Sequence, residues 1–527
     1  MITEELRRLV GSVMVMGFDG LDVNEHARIL IERHHVGNII LFSRNIRTRD
    51  QATALTGRLQ EWAVSTGQEL PLIVCTDQEN GIVRRLGRAF PGLPGNMAVA
   101  ATQDPTVAYE VGRLTALQLR ALGINMNLAP VLDVNNNPLN PVIGVRSYGE
   151  DPAQVANFGA AMIRGLQDFN VSACAKHFPG HGDTAVDSHH DLPVIAHDRE
   201  RLCTVEWVPF VRAIESGIDA IMTAHVIFEA FDPMRPATVS HAVLTDILRR
   251  ELGFDGIITT DSMEMKAIAD SIGIGRACVQ ALTAGADMLM VSHRLDEQEE
   301  AIAAVCQAIE TGELDILRVQ AAAERVARVK RRRLLSSKAV DEAALADTER
   351  VSMDMCMRAI TVVRDVAGRL PVDVDALSHV VLLQDGRESA MMAADPTILE
   401  ARNRLLVDEL ERQAPHLSIS NYVIQPLTSE TEHSPYPSLE ECLRADLILA
   451  CVSRAEKSDL STFIHDLCQA GAPVVVLLMR SPYDLVAVPD ASCAVALYED
   501  TPWMIRAAAR ALFARELPSG CLPVSLC

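Results

Sequence analysis

Eight short apolar runs, each followed by a stretch of helical periodicity, constrain this chain more than any other feature. The runs are 12–18, 37–42, 71–76, 124–133, 171–178, 219–225, 255–261 and 286–292. Between them lie amphipathic segments such as EHARILIERHH, PTVAYEVGRLTALQLRALG, PAQVANFGAAMIRGLQDF and GRACVQALTAGA, where apolar residues recur at helical spacing. The runs are apolar at nearly every position, as expected of parallel strands covered on both faces. Strand–helix alternation repeated eight times predicts a (β/α)8 TIM-type barrel over 1–335. Helical stretches at 294–311 and 315–335 complete it. The second ends in KRRR (330–333), read either as a polyanion or nuclear-import patch or, more simply, as a cationic helix C-terminus favoured by the helix dipole.

A linker with local structure is expected over 336–378. Strand runs then resume at 379–384, 418–425, 445–453, 473–479 and 493–499, with helical candidates at 396–413, 458–470 and 502–515. The stretch 379–527 is long enough to build its own core, and a C-terminal α/β sandwich domain is predicted there. Neither an internal repeat nor a low-complexity segment is present.

Composition narrows the function classes. Lys+Arg 48 against Asp+Glu 70 gives a net charge of −22, which argues against nucleic acid or an anionic membrane as partner. Aromatic residues make up only 4%, too few for a base-stacking platform. The 12 cysteines form no C-x-x-C pair, and several, such as Cys75 in PLIVCTD, sit inside apolar runs; buried reduced thiols and a cytoplasmic location are expected. The N-terminus does not read as a signal peptide, and no apolar run approaches the ~18 residues of a membrane span.

In a barrel of this kind the chemistry sits at the C-terminal ends of the strands and in the loops that follow. The third run leads into Asp77-Gln78-Glu79-Asn80-Gly81 and Arg84-Arg85, and the fourth into Asp133 and a loop ending Gly144-Val145-Arg146-Ser147-Tyr148. The fifth delivers Lys176-His177 and a loop through Asp191, the sixth Thr223-Ala224-His225, the seventh Thr260-Asp261-Ser262. In the 176–191 loop Asp187 and His189 are two apart, so a short turn lets the carboxylate hold one imidazole nitrogen and raise the basicity of the other, as a general acid/base requires. Asp261 closes an apolar strand, either as an N-cap of the next helix or as a nucleophile or electrostatic stabiliser. A carboxylate attacking an anomeric carbon together with an acid protonating the leaving oxygen makes a retaining glycosidase. Asp77 can accept two sugar hydroxyls. Arg85, Arg146 and Lys176 are donors for sugar hydroxyls, an acetamido carbonyl or a carboxylate, or members of structural ion pairs. His177, His181, Asp183, Asp187, His189, His190 and Asp191 are dense in potential metal ligands, but the first strand ends Gly17-Phe18-Asp19-Gly20 with no histidine, so no catalytic metal is expected. No phosphate-cradling glycine motif follows a strand, and no cofactor is expected.

The segment K-H-F-P-G-H-G-D-T-A-V-D-S-H (176–189) resembles the signature loop of the β-N-acetylhexosaminidases of glycoside hydrolase family 3. T-T-D-S-M-E-M-K-A-I (259–268), D-Q-E-N-G-I-V-R-R (77–85) and G-V-R-S-Y-G (144–149) resemble that family's other segments, in the right order. The stretch 379–527 is similar to the family's C-terminal domain, closing with L-P-S-G-C-L-P-V-S-L (517–526). The resemblance implies Asp261 as nucleophile and His189, oriented by Asp187, as acid/base. It further implies Asp77, Arg85, Arg146, Lys176 and His177 as binders of an N-acetylglucosamine unit. Asn80 stands where the family pattern has glycine. The expected activity is retaining exo-β-N-acetylglucosaminidase on a β-linked oligosaccharide or glycoconjugate. The rivals are a phosphorylase, since a histidine does not repel phosphate as a carboxylate base would, a β-glucosidase, and an inactive sugar-binding protein, disfavoured because all three chemical residues are present.

Overall fold

The computed structural model describes residues 3–184, 192–335, 339–385, 402–424, 436–453, 459–513 and 517–526. All eight apolar runs become strands: β1 (Met14–Met16), β2 (Asn38–Ile40), β3 (Ile73–Thr76), β4 (Met126–Asn127), β5 (Ser172–Phe178), β6 (Ala220–Thr223), β7 (Ile257–Ser262) and β8 (Met288–Val291). Neighbours in sequence pair in parallel and β1 pairs β8, so the sheet closes into a barrel. Its core includes Val15, Ile40, Ile73, Cys75, Met126, Leu128, Cys174, Met222, Ile257 and Met290. These alternate along each strand with residues facing the outer helices, which is why both faces read as apolar.

The helix Ile316–Leu334 adds Val326 and Val329 to this core. The four cationic side chains at its end are all engaged. Lys330 donates to the Gly37 carbonyl at 2.8 Å and Arg331 pairs with Glu324 at 2.8 Å. Arg332 and Arg333 both hold the fully buried Asp219 just before β6. Lys330, Arg332 and Arg333 of the KRRR run therefore tie this helix to the barrel, while Arg331 pairs within the helix.

The chain divides into two compact units, and the division differs from the expected linker. The second unit begins at Asp347 and also takes in Asn80–Val83 and Gly92–Val107. Within 336–378 a helix, Thr348–Ala359, and a strand, β9 (Thr361–Asp365), belong to it. The strand carries little signal in the sequence because TVVRD is short and ends in charges. The sheet has the order β9–β14–β13–β12–β10–β11, with β10 (His379–Asp385), β11 (Ser418–Ile424), β12 (Leu447–Val452), β13 (Val474–Leu478) and β14 (Cys493–Ala496). Only the β9 edge is antiparallel. Helices Arg402–Gln413, Asp459–Gln469 and Pro502–Leu512 accompany it.

The segments taken from the loop after β3 are tied within this second unit. The Ser352 hydroxyl donates to the Gly92 carbonyl at 2.7 Å, Arg358 pairs with Asp104 at 2.8 Å, and the Cys521 N–H donates to the Ala101 carbonyl at 2.8 Å. Asn80 takes φ +72°, in the left-handed region that asparagine tolerates better than most side chains, so this turn accommodates a side chain at that position.

Candidate active site at the carboxyl end of the barrel

Along β3 the side chains of Ile73 and Cys75 enter the barrel core, and Asp77 continues that phase. Along β5 Cys174 enters it, and Lys176 follows two residues on. The two meet: Lys176 Nζ donates to Asp77 Oδ1 at 2.6 Å and to Glu79 Oε1 at 2.7 Å. Arg146 completes the cluster with a two-pronged bond to Glu79, Nε to Oε2 at 2.8 Å and Nη2 to Oε1 at 2.7 Å. Asn140 shapes the turn that carries Arg146: its Oδ1 accepts the N–H groups of Val142 and Ile143 at 2.9 and 2.8 Å. Burial works against every charge here, but the opposite charges prevail. Glu79 is held far below the usual carboxylate range by Arg146 and Lys176, and both cations are held above their ordinary values. Arg146 and Lys176 are thus members of an internal ion-pair network, and Asp77, whose side chain is 19% exposed, is its open edge. Arg85 is held by the loop itself: its N–H donates to Gln78 Oε1 at 2.9 Å and its guanidinium to the Arg84 carbonyl at 3.2 Å.

His177 turns to a different partner. Its Nδ1 lies 2.7 Å from Oδ2 of the fully buried Asp133, while Asp133 Oδ1 accepts the N–H groups of His177 at 3.2 Å and His181 at 2.6 Å. Burial would raise the Asp133 carboxyl, but His177 and His181 hold it down. An ionised Asp133 fixes a proton on His177 Nδ1 and points Nε2 outward, 4.0 Å from Asp261 Oδ2. His181 bonds Thr184 Oγ1 through Nδ1 at 2.8 Å; burial and the neighbouring His177 push it down to about 4, so it is neutral at neutral pH.

Two irregularities set these side chains. Between Thr259 and Ser262, β7 advances three residues while β8 advances two; β5 does the same against β6 between Ala175 and Phe178. Such bulges re-aim the residues they contain, and they contain Asp261 and the Lys176–His177 pair. Asp261 is half-buried. Burial favours its neutral form, yet His177, His225, Lys176 and the Ser262 N–H, which bonds Oδ1 at 2.7 Å, bring the carboxyl below its usual value. Asp261 does not cap a helix: it lies within the strand, and the following helix begins at Lys266 after Met265. Behind it, His225 Nε2 bonds the Ser262 carbonyl at 2.9 Å and Nδ1 bonds Thr238 Oγ1 at 2.8 Å. Glu264 accepts the N–H groups of His293 and Arg294 at 2.9 and 3.1 Å, joining the segment after β7 to that after β8.

The 176–191 loop is described as far as Thr184. Asn140 Nδ2 donates to the carbonyls of His181 and Gly182 at 2.9 Å each, and Asp183 pairs with His197. A Cβ on Gly182 would fall 1.8 Å from the Val134 carbonyl oxygen, so only glycine fits. Asp187 and His189 lie outside the described residues, as do His190 and Asp191. The sequence alone marks no role for Glu79, Asn140 or His225, and presents Asp133 as one strand-end acid among several. Position after a barrel strand was the available signal for three of the four; Asn140, in mid-loop, carried none. Taken together, the mouth presents an ionised carboxylate on β7 beside a ring of paired donors, an arrangement able to stabilise or attack a carbon that develops positive charge.

Residues 1–329 match the family model described as the glycosyl hydrolase family 3 N terminal domain. The chain is 31% identical over 499 residues to a beta-hexosaminidase A of Pseudoalteromonas piscicida, covering 88% of this chain and 83% of that protein. It is 36% identical over 289 residues to a beta-hexosaminidase of Alkalilimnicola ehrlichii, covering 54% of this chain and 81% of that one. Among solved structures, a family 3 beta-N-acetylglucosaminidase from Paenibacillus sp. str. FPU-7 superposes with a TM-score of 0.89 at 36% identity, covering 99% of both chains.

Proposed function

The chain belongs to glycosyl hydrolase family 3 and is a glycoside hydrolase, and from that premise we propose that it is a retaining exo-β-N-acetylglucosaminidase. The observation that carries the reading is Asp261: a half-buried carboxylate in a strand bulge at the barrel mouth, kept below its usual pKa by His177, His225 and Lys176. An ionised carboxylate so placed can attack the anomeric carbon and form a glycosyl ester, with charge developing on the sugar ring. Asp77, at the open edge of its ion pair with Lys176, offers oxygens to sugar hydroxyls, and His177 Nε2 offers a polar contact beside the nucleophile. His189 protonates the leaving oxygen and then activates water, with Asp187 holding its imidazole; this assignment rests on the sequence of the 176–191 loop. The names carried by the relatives, beta-hexosaminidase and beta-N-acetylglucosaminidase, agree with an N-acetylhexosamine at the non-reducing end. Buried thiols such as Cys75, Cys174 and Cys356 agree with a cytoplasmic setting.

The test is a comparison of nitrophenyl β-N-acetylglucosaminide with nitrophenyl β-glucoside, each with and without inorganic phosphate. Preference for the first, with free N-acetylglucosamine as product whether or not phosphate is present, is the expected result. A sugar 1-phosphate product would make the protein a phosphorylase, and a preference for the glucoside would overturn the substrate assignment. His189→Ala should slow N-acetylglucosamine disaccharides most. With an aryl glycoside it should give a burst of phenol followed by slow turnover, because only the second step still needs the base. Equal slowing of both substrates with no burst would move the acid/base role elsewhere.

A further inference from the structure

A cavity of about 320 Å³ opens at the end of the barrel where the strands begin. Ser12, just before β1, and Gly37, just before β2, form one side of it; Gly67–Leu70, before β3, and the helix Ile316–Leu334 form the rest. Small-molecule sites start at about this size. Among the residues that line it, Lys330 is 5% exposed. An ammonium has three protons to donate, and the carbonyl of Gly37, at 2.8 Å, takes one. That glycine also leaves room, since a Cβ there would approach Nζ to 3.2 Å. Burial pushes Lys330 down to about 7. Beside it His35, 6% exposed, meets Glu4 through Nε2 at 2.6 Å, while its buried Nδ1 has no hydrogen-bond partner among the described residues. Arg8, which pairs with Glu4 at 3.2 Å, and Arg331, which pairs with Glu324, also line it, and Glu69 stands exposed among the lining residues.

Lys330 thus faces a ligand-sized space with ammonium protons left over after Gly37, and no carboxylate among the described residues pairs with it. We propose that this cavity binds a small oxyanion, a carboxylate or phosphate group on a small molecule, with Lys330 Nζ as its main ligand and Arg8 as the outer one. The anion takes the remaining ammonium protons and supplies the missing charge, so binding near pH 7 carries a proton onto Lys330. The charged and titratable groups that line the same cavity are Arg8, His35, Glu69 and Arg331, with Glu4 bonded to both Arg8 and His35. This is a site separate from the chemistry at the other end of the barrel.

The experiment is isothermal titration of the full chain at pH 7 with inorganic phosphate and, separately, sodium acetate, each at ionic strength fixed with sodium chloride. Saturable binding of one or both is expected, and which of the two binds names the oxyanion. Lys330→Met, which keeps the length and removes the charge, should weaken it about ten-fold or more. Arg8→Gln, at a partly exposed position, should weaken it several-fold, and Asp261→Ala should leave it unchanged. Repeating the titration in buffers of different ionisation enthalpy should reveal proton uptake that Lys330→Met abolishes. Absence of saturable binding by either anion, or equal affinity in wild type, Lys330→Met and Arg8→Gln, overturns the proposal; if Lys330→Met does not fold, Arg8→Gln and the proton uptake decide.

Discussion

Asp261 and Glu79 are carboxylates of the same barrel mouth with different surroundings. Asp261 is half-buried, with His177 Nε2 4.0 Å away and no lysine or arginine paired with it among the described residues, whereas Glu79 is 3% exposed and shared between Arg146 and Lys176. Removing each should therefore register in different measurements. Asp261→Ala should lower kcat by on the order of 10³-fold or more, because the covalent route is lost, while urea unfolding changes little. A variant keeping a tenth of the activity would rule out the nucleophile. Glu79→Gln leaves two buried cations short of one charge and should cost about 3–5 kcal/mol in urea unfolding. Asp133→Asn should keep the fold but lower kcat/KM by about ten-fold or more, since the amide no longer fixes the His177 tautomer. Unchanged kinetics in that variant would reduce Asp133 to a packing role.

Among elements, the bulges in β5 and β7 and the first half of the 176–191 loop act together. Bulges aim Lys176, His177 and Asp261, and the loop then lies so close to Val134 that Gly182 cannot carry a side chain. Gly182→Ala must lift the loop off β4's extension and break one or both Asn140 bonds. A loss of about 1–3 kcal/mol is expected from such overpacking, together with a fall in kcat, because this loop also carries the proposed acid/base. Thermal unfolding and steady-state kinetics on the same preparation check both. Wild-type values in each would mean that the loop is free to reseat.

At the scale of the whole molecule, stability should depend on Glu499 in the second unit. Its Oε1 accepts the Thr501 hydroxyl at 2.6 Å and the Trp503 indole N–H at 2.8 Å, and its Oε2 accepts the Gly95 N–H at 2.7 Å. Burial outweighs these donors and pushes the carboxyl up to about 7. The folded chain therefore holds a proton that the unfolded chain releases near 4.5. Stability from this group is complete below that value, falls as pH rises toward 7, and stays lost above. The drop is about 3 kcal/mol at 1.36 per unit. Glu499→Gln should remove that part of the slope. Urea unfolding at pH 5 and pH 8, wild type against variant, isolates the term, since other groups cancel in the difference. An unchanged slope would mean that Glu499 titrates normally.

The barrel was legible in the sequence because period and run length are local properties: an apolar run covered on both faces followed by a 3.6-residue pattern states its neighbours' geometry without naming them. The strand ends followed from the same logic, which is why Asp77, Lys176, His177 and Asp261 could be singled out by position alone. What those residues touch was not legible. The pairing of Asp133 with His177 spans 44 residues and that of Glu79 with Arg146 spans 67, and the bulges that aim Asp261 and His177 arise from register against neighbouring strands rather than from any local signal. The strand Thr361–Asp365 and the membership of Gly92–Val107 in the second unit were hidden for the same reason. Local periodicity determined the elements; side-chain partnerships and strand register, which form only when distant segments meet, decided which strand-end acid stands half-buried at the mouth and which is tied between two cations.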